Sequence, residues 1–291
     1  EVSPLAAATT RLGYRSRTKL VVTSGKIGLY ARGSHEVVDT SGCPVLDPKL
    51  ERIVERLRQL DLARFGVESL DLRRVDEGAL LTLAVREKTD TTELERIVSN
   101  ELASLSIVGW ALSERAAGRV LLLGQGHRVI AGAERTPHHV SNDLPWHFAS
   151  QGSFVQAHLP QAARLYEHVI ERIAQLGAGR ALSILELHAG SGTLSLALAA
   201  RGHRVTAVEA YAPAVRLIED AAREQNLAVR AIESDARAAL DDSPPVDVVL
   251  VNPPRRGLEP ALRRALARTA TRAIGYVSCD PETALRDLDH L

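Results

Sequence analysis

Five short apolar runs recur between Leu182 and Cys279: "LSILEL" (182–187), "HRVTAVEA" (203–210), "AVRAIES" (228–234), "VDVVLVN" (246–252) and "AIGYVSC" (273–279). Helical segments separate several of them, at 191–202, 212–225 and 259–271. No other feature constrains the fold as much. Continuous β-rich runs are strands buried on both faces, and strands joined through helices pair in parallel. Right-handed crossovers carry every C-terminal strand end to one edge of the sheet, where open α/β sheets bind ligands. The expectation for this half is α/β with a mostly parallel sheet.

The first half has another texture. Between about Leu20 and Ile130 the runs "KLVVTS", "KIGLYARG", "SLDLRRV", "LLTLAVRE", "VGWALSE" and "RVLLLG" read as half-buried antiparallel strands. Two amphipathic patterns, 47–60 and 90–105, each begin with Asp at an N-cap position. This predicts an α+β antiparallel-sheet domain over 1–150, ahead of an α/β domain over 151–291. The stretch 133–146 has loop composition, and His138 and His139 in it are expected to be solvated.

Composition narrows the function classes. Basic and acidic side chains balance, 36 against 36, so no global field points to a polyanion. No apolar run reaches bilayer length and no signal-peptide pattern opens the chain. Two distant cysteines give no disulfide framework and suit the reducing cytoplasm, with no membrane partner. The chain has no Met and starts at Glu1, which predicts a piece of a longer protein. A sheet ending at its fifth run would leave an open edge, so further C-terminal strands are expected.

Chemistry concentrates at the strand ends. Gly190 and Gly192 in "ELHAGSGTLSLALA" (186–199) let backbone approach a ligand at a helix N-terminus. The third glycine of a dinucleotide fingerprint is missing. The next run ends in Glu209, about twenty residues on, where a carboxylate can hold ribose hydroxyls. Asp235 in "ESDAR" either reaches an adenine edge or caps the following helix. The prolines of "NPPRRG" (252–257) stop the fourth strand and present Asn252 at the edge. Cys279 ends the fifth run before Asp280-Pro281 and a helix. If the fourth and fifth strands are neighbours, Asn252 and Cys279 face one cleft near Arg255. An isolated cysteine would be read as core filler; in this company a nucleophile is the better reading.

With these motifs in place the chain resembles the RNA (uracil-5) methyltransferases, S-adenosylmethionine-dependent enzymes that make 5-methyluridine in ribosomal and transfer RNA. "GYRSRTKLVV" and "GLYARGSHEVVDTSGCPVLDP" are similar to the family's central domain. "SFVQAH", "HAGSGTLSLALA", "AVEA", "NPPRRG" and "YVSCDPETALRDL" are similar to its catalytic domain, in order. The resemblance implies a Rossmann-like class I methyltransferase domain. It implies Cys279 as the nucleophile adding to uracil C6, and Asn252 between cofactor and base. Gln156, Glu209 and the loop with His188, Gly190 and Gly192 would hold S-adenosylmethionine, with Asp235 beside the adenine.

Departures from the family pattern keep alternatives open. Asn252 stands where the family usually has Asp, as in amine and N6-adenine methyltransferases, although Arg255 follows where those carry an aromatic residue. The family's proton-abstracting glutamate is expected beyond Leu291. Without that base, a non-catalytic RNA-binding protein with a decayed site is the other alternative. Cys43 matches the position of a fourth iron–sulfur ligand, but one cysteine cannot hold a cluster, so no metal is expected in this chain. Before Ser34, Arg11, Arg15, Arg17, Lys19, Lys26 and Arg32 face a single acid, Glu1. A basic face with Arg15, Arg17 and Lys19, joined by Arg255 and Arg256, would track RNA phosphates. Ribosomal RNA is expected ahead of transfer RNA, read by a monomer.

Overall fold

A computed structural model describes residues 7–116 and 126–291. The chain forms two compact units. One comprises the stretch up to His138 with Ala149–Ala162, the other His139–Phe148 with Ala163–Leu291.

The first unit is built on a seven-stranded sheet in the order β3-β2-β1-β4-β5-β6-β7. Its strands are β1 (Arg17–Thr23), β2 (Lys26–Tyr30), β3 (Val37–Asp39), β4 (Val67–Val75), β5 (Gly78–Arg86), β6 (Ile107–Arg115) and β7 (Arg128–Gly132). Helix α1 (Pro48–Arg58) starts where Asp47 Oδ1 accepts the N–H groups of Lys49 at 2.7 Å and Leu50 at 3.4 Å. Leu50, Ile53, Val54 and Leu57 recur at helical spacing and are buried. Leu94, Val98 and Leu102 do the same on α2 (Thr92–Leu102). Both helices join a core with Leu20, Leu70, Leu72, Leu81, Leu83 and Trp110. Val75 and Leu80 pack instead with Ala149 and Val155, which helps bury β5 along nearly its whole length.

The sheet is antiparallel, as expected, except at one pair, where α2 carries the chain from β5 across to a parallel β6. "RVLLLG" (119–124) lies outside the described residues. His138 is not a solvated loop residue: it ends β8 (Arg135–His138), which precedes the short β9 (His147–Ser150), is buried, and its Nδ1 lies 2.9 Å from Asp76 Oδ1. His139 is half-buried.

The second unit holds a five-stranded parallel sheet in the order β12-β11-β10-β13-β14. The strands are β10 (Ser183–Leu187), β11 (Arg204–Glu209), β12 (Val229–Glu233), β13 (Val248–Val251) and β14 (Ala273–Tyr276). Each falls on one of the five apolar runs. Helices α4 (Thr193–Ala200), α5 (Ala212–Glu224), α6 (Ala236–Asp242) and α7 (Pro260–Leu266) connect them, and α8 (Pro281–Leu288) follows β14. The long α3 (Leu159–Gly177) precedes the sheet.

A buried charge cluster organises the first unit. Asp71 is fully buried on β4 and takes the guanidinium of Arg17 at 2.8 Å, with Arg73 against its other oxygen. Burial pushes the Asp71 carboxyl up, but Arg73 and Arg17 outweigh it and hold it below the usual carboxylate range. Arg73 is itself buried and donates to the Ser150 carbonyl at 2.9 Å and to Ser153 Oγ at 3.0 Å. Removing the acid strands two cations in low dielectric. Asp71→Asn is therefore expected to destabilise the first unit by about 3–5 kcal/mol, the cost of breaking a buried pair. Urea unfolding followed by circular dichroism measures it, and a loss below about 1 kcal/mol, the size of a surface pair, contradicts this account.

Candidate functional site

Register aligns the strand ends of the second unit. Ile232, Val208, Leu187, Val251 and Tyr276 form one row of paired residues across β12, β11, β10, β13 and β14. One step further along lie Glu233, Glu209, His188, Asn252 and Val277. Four of the residues singled out in the sequence are thus on this row or just past it: His188, Glu209, Asn252 and, two residues beyond Val277, Cys279. Neighbouring strands sit about 4.8 Å apart, so the span from Glu209 to Asn252, two strands away, is roughly 10 Å.

The loop after β10 turns on three left-handed residues, His188 (φ 61°), Gly190 (φ 60°) and Gly192 (φ 74°). Gly192 has no alternative: a Cβ there would come within 2.6 Å of Ile218. At Gly190 a Cβ would meet nothing within 4 Å, so open space lies beside this backbone. A left-handed histidine costs roughly 1–3 kcal/mol, and such strain gathers at functional sites. Burial pushes the His188 imidazole below its ordinary pKa; Glu209 and Asp235 pull it back up, while Arg256 adds to the fall. Those influences put His188 among the ends of β11 and β12 and the loop after β13.

Glu209 is fixed by backbone. Its Oε2 accepts the Gly190 N–H at 2.9 Å and its Oε1 accepts the Tyr211 N–H at 3.1 Å. Each oxygen keeps a lone pair for a further donor. Asp235 is a helix cap, Oδ1 accepting from Arg237 N at 2.8 Å and Ala238 N at 3.3 Å. The cap uses one oxygen and so does not exclude a ligand at the other.

The loop after β13 departs where the Asn252 N–H meets the Leu187 carbonyl at 3.3 Å. Asn252 is half-buried, while Arg255 and Arg256 are exposed, Arg256 lying 3.2 Å from Glu259. Strands β13 and β14 are neighbours, as the cleft expectation required. Cys279 is exposed in the loop from β14 to α8. Ser278 Oγ accepts the Asp280 N–H at 3.1 Å, and Asp280 Oδ1 caps α8 through Thr283 N at 2.8 Å.

The remaining candidates belong to the first unit. Gln156 is held by its carbonyl, which accepts Ser16 Oγ at 2.7 Å. Arg15 is exposed and Lys19 partly so. Arg17 departs from the expected phosphate contact: its guanidinium, 13% exposed, is committed to buried Asp71. Cys43 packs against the first unit's apolar core. Among the described residues no cluster of three or more His, Cys, Asp or Glu side chains is arranged to hold a metal ion. No described helix is long and apolar enough to cross a membrane.

Sequence reading passed over Glu186, whose signal was a lone acid inside "LSILEL". It is buried on β10, and Ser195 of α4 donates a short hydrogen bond to its Oε2. Burial pushes its pKa up to about 7, although hydrogen bonds from Ser195 oppose the rise. Between pH 4.5 and about 7 the folded state holds a proton that the unfolded chain has lost. Stability from this group is therefore highest below that window, falls through it and levels off above, by on the order of 3 kcal/mol. Glu186→Gln is expected to flatten this component when melting temperature is followed from pH 5 to 8. An unchanged pH slope rules it out.

Known proteins match this architecture. Residues 147–274 match the methyltransferase small domain family. An uncharacterized RNA methyltransferase of Parasynechococcus marenigrum is 30% identical over 96% of this chain and 64% of its own length. The 23S rRNA (uracil(1939)-C(5))-methyltransferase RlmD of Chromohalobacter salexigens is 32% identical over 96% of this chain and 59% of its own length. The chain thus spans about three fifths of these relatives. The crystal structure of Pyrococcus abyssi tRNA (uracil-54, C5)-methyltransferase in complex with S-adenosyl-L-homocysteine superposes with a TM-score of 0.77 at 23% identity, covering 97% of this chain and 70% of that one, and shares the fold. The resemblance to RNA (uracil-5) methyltransferases carried by the motifs therefore holds along nearly the whole chain.

Proposed function

We propose that the chain is the central and catalytic part of an RNA methyltransferase that uses S-adenosylmethionine to methylate C5 of a uridine. The observation that carries this is the alignment of strand ends. The Asn252 and Cys279 loops leave neighbouring parallel strands, β13 and β14, on the edge where the Gly190 loop and Glu209 lie.

The residues fit a nucleoside cofactor. The open space at Gly190 admits it, the Glu209 lone pairs suit ribose hydroxyls, and Asp235 Oδ2 is left for a base edge. When bound, S-adenosylmethionine supplies an electrophilic methyl group. The protein has to make uracil C5 nucleophilic. The Cys279 thiolate would form a bond to C6 as the C5–C6 double bond opens to an enolate. C5 would take the methyl group as its bond to the sulfonium sulfur breaks, the electron pair staying on sulfur as a neutral thioether. A base removes the C5 proton, the double bond re-forms, and the thiolate leaves. Asn252, immediately before the two prolines that fix its loop, orients the ring. The target base must leave its stack to reach an exposed thiol.

Ribosomal RNA is favoured as substrate: identity is 32% to the 23S rRNA enzyme against 27% to the tRNA (uracil(54)-C(5))-methyltransferase of Pyrococcus horikoshii. Arg15, Arg255 and Arg256 are exposed cations able to meet phosphates.

Nucleoside mass spectrometry of separated ribosomal and transfer RNA from a deletion strain tests the reaction. Loss of 5-methyluridine is expected. Loss of N6-methyladenine would instead establish the amine-type alternative, and unchanged RNA a non-catalytic binder. In the full-length protein Cys279→Ala is expected to keep cofactor and RNA affinity while kcat falls by roughly 10⁴-fold, since the lost bond exists only along the reaction path. RNA carrying 5-fluorouridine is expected to trap the parent enzyme at Cys279, because fluorine cannot leave as a proton does. Glu209→Ala is expected to weaken cofactor binding by about 1.5–3 kcal/mol in calorimetry, the worth of one hydrogen bond to a charged group. Unchanged affinity in a folded variant would remove Glu209 from the site.

A further inference from the structure

We propose that Asp287 is a positioning residue for this reaction: its buried carboxylate fixes the Asn252 loop relative to the Cys279 loop. The proposal rests on the roles given above to Asn252 and Cys279. Asp287 lies on α8, seven residues past the helix N-cap, and is fully buried. Its Oδ2 accepts the Leu258 N–H at 2.7 Å and the Tyr276 hydroxyl at 2.7 Å. Its Oδ1 accepts Arg286 Nη2 at 2.8 Å and faces Arg263 Nη1 at 3.4 Å. One carboxylate therefore joins the end of the "NPPRRG" loop, the last residue of β14, helix α7 and helix α8.

What those bonds enclose gives the tie its meaning. The Tyr276–Asp287 bond closes the segment that contains Cys279. The Leu258 bond fixes the loop that begins at Asn252. Two further bonds run from α8 to the same loop: Thr283 Oγ1 donates to the Arg255 carbonyl at 3.1 Å and Arg286 Nη2 to the Arg256 carbonyl at 2.8 Å. The loop passes so close that a Cβ on Gly257 would fall 2.4 Å from Asp287 Oδ2 and 2.3 Å from Thr283 Cγ2. Gly257 also has φ 76°, so glycine is demanded twice over. Burial would push the Asp287 carboxyl up, but the Leu258 N–H, the Tyr276 hydroxyl and Arg286 outweigh it and hold it below the usual carboxylate range. The tie is ionised, directional and shielded from water.

Thiol addition at C6 and methyl transfer at C5 act on adjacent ring atoms, so the two loops need a fixed separation. A misplacement of about 1 Å remote from the chemistry can cost about 10²-fold in rate. Asp287→Asn keeps the size and one acceptor oxygen, but turns an amide N–H₂ toward donors. In the full-length protein it is expected to leave S-adenosylmethionine affinity and the KM for RNA near parental values. kcat, and the rate of adduct formation with 5-fluorouridine RNA, should both fall by about 10²-fold. A merely structural role would lower the melting temperature without that split. Folded Asp287→Asn with kcat within about 3-fold of the parent overturns the proposal. If Asp287→Asn does not fold, Tyr276→Phe decides: it deletes one bond to the carboxylate, and kcat is expected to fall by about 10-fold at little cost in melting temperature. Parental kcat in a folded Tyr276→Phe then overturns the proposal. Cys279→Ala, measured alongside, separates the two readings. Activity in Cys279→Ala sinks the site assignment itself, whereas an inactive Cys279→Ala with fully active Asp287→Asn sinks only the positioning role.

Discussion

Parallel register across β11, β10, β13 and β14 is the constraint from which the candidate site follows. Parallel hydrogen bonding is evenly spaced, so one residue pair fixes every other pair along the strands. Leu187 faces Val208 on one side and Val251 on the other, and Val251 faces Tyr276. Slipping any strand by one residue would exchange the side chains facing its two covered layers. The apolar content of "LSILEL" and "VDVVLVN", selected for burial, thereby also decides where Glu209 and Asn252 emerge. The chain reverses direction across the sheet between β10 and β13, and ligand sites of open α/β sheets lie beside such a reversal.

Much of this was legible because burial and chemistry share one signal there. Strands buried on both faces need continuous apolar runs, and each run stops where a functional loop begins. The neighbouring order of β13 and β14 was only a condition of the cleft in the sequence, and the fold supplies it. The first unit was harder to read for the same physical reason in reverse. Alternation in "SLDLRRV" suggests one solvated face, yet both faces of β4 are covered and Asp71 and Arg73 lie inside. The direction of β6 depends on how α2 packs, which local periodicity does not encode. His138 looks like a loop histidine until Asp76, distant in sequence, supplies its partner.

Within the site, what could be read was residue type at strand ends; what could not was the support behind it. "NPPRRG" and "VSCDP" announce themselves by proline, glycine and cysteine. Asp287 does not, because an acid on an amphipathic helix ordinarily faces water. Its burial depends on three partners from other elements: Leu258, Tyr276 and Arg263. Arg17 went astray for the complementary reason. A cation in a basic stretch reads as surface, and only the fold reveals the buried acid it neutralises.

Three buried carboxylates show how partner chemistry, rather than burial, decides what an acid can do. Asp71 has Arg73 and Arg17, and Asp287 has the Leu258 N–H, the Tyr276 hydroxyl and Arg286, so both carboxyls are held below the usual range despite desolvation. Glu186 has the hydrogen bonds of Ser195 and, among the described residues, no cation that shifts it, and burial raises its pKa to about 7. Donors from a single residue offset part of a desolvation penalty; donors from several elements acting with a cation, or a pair of cations, reverse its sign. Both carboxyls, held below the usual range, can therefore serve as ties across elements. Glu186 is a different tie, because its bond to Ser195 changes character as the proton leaves. That bond joins β10 to α4, on either side of the Gly190 turn. The two loops proposed to hold the base are thus tied through a carboxyl held below its usual range, while the turn proposed to hold the cofactor adjoins one whose pKa is pushed up to about 7.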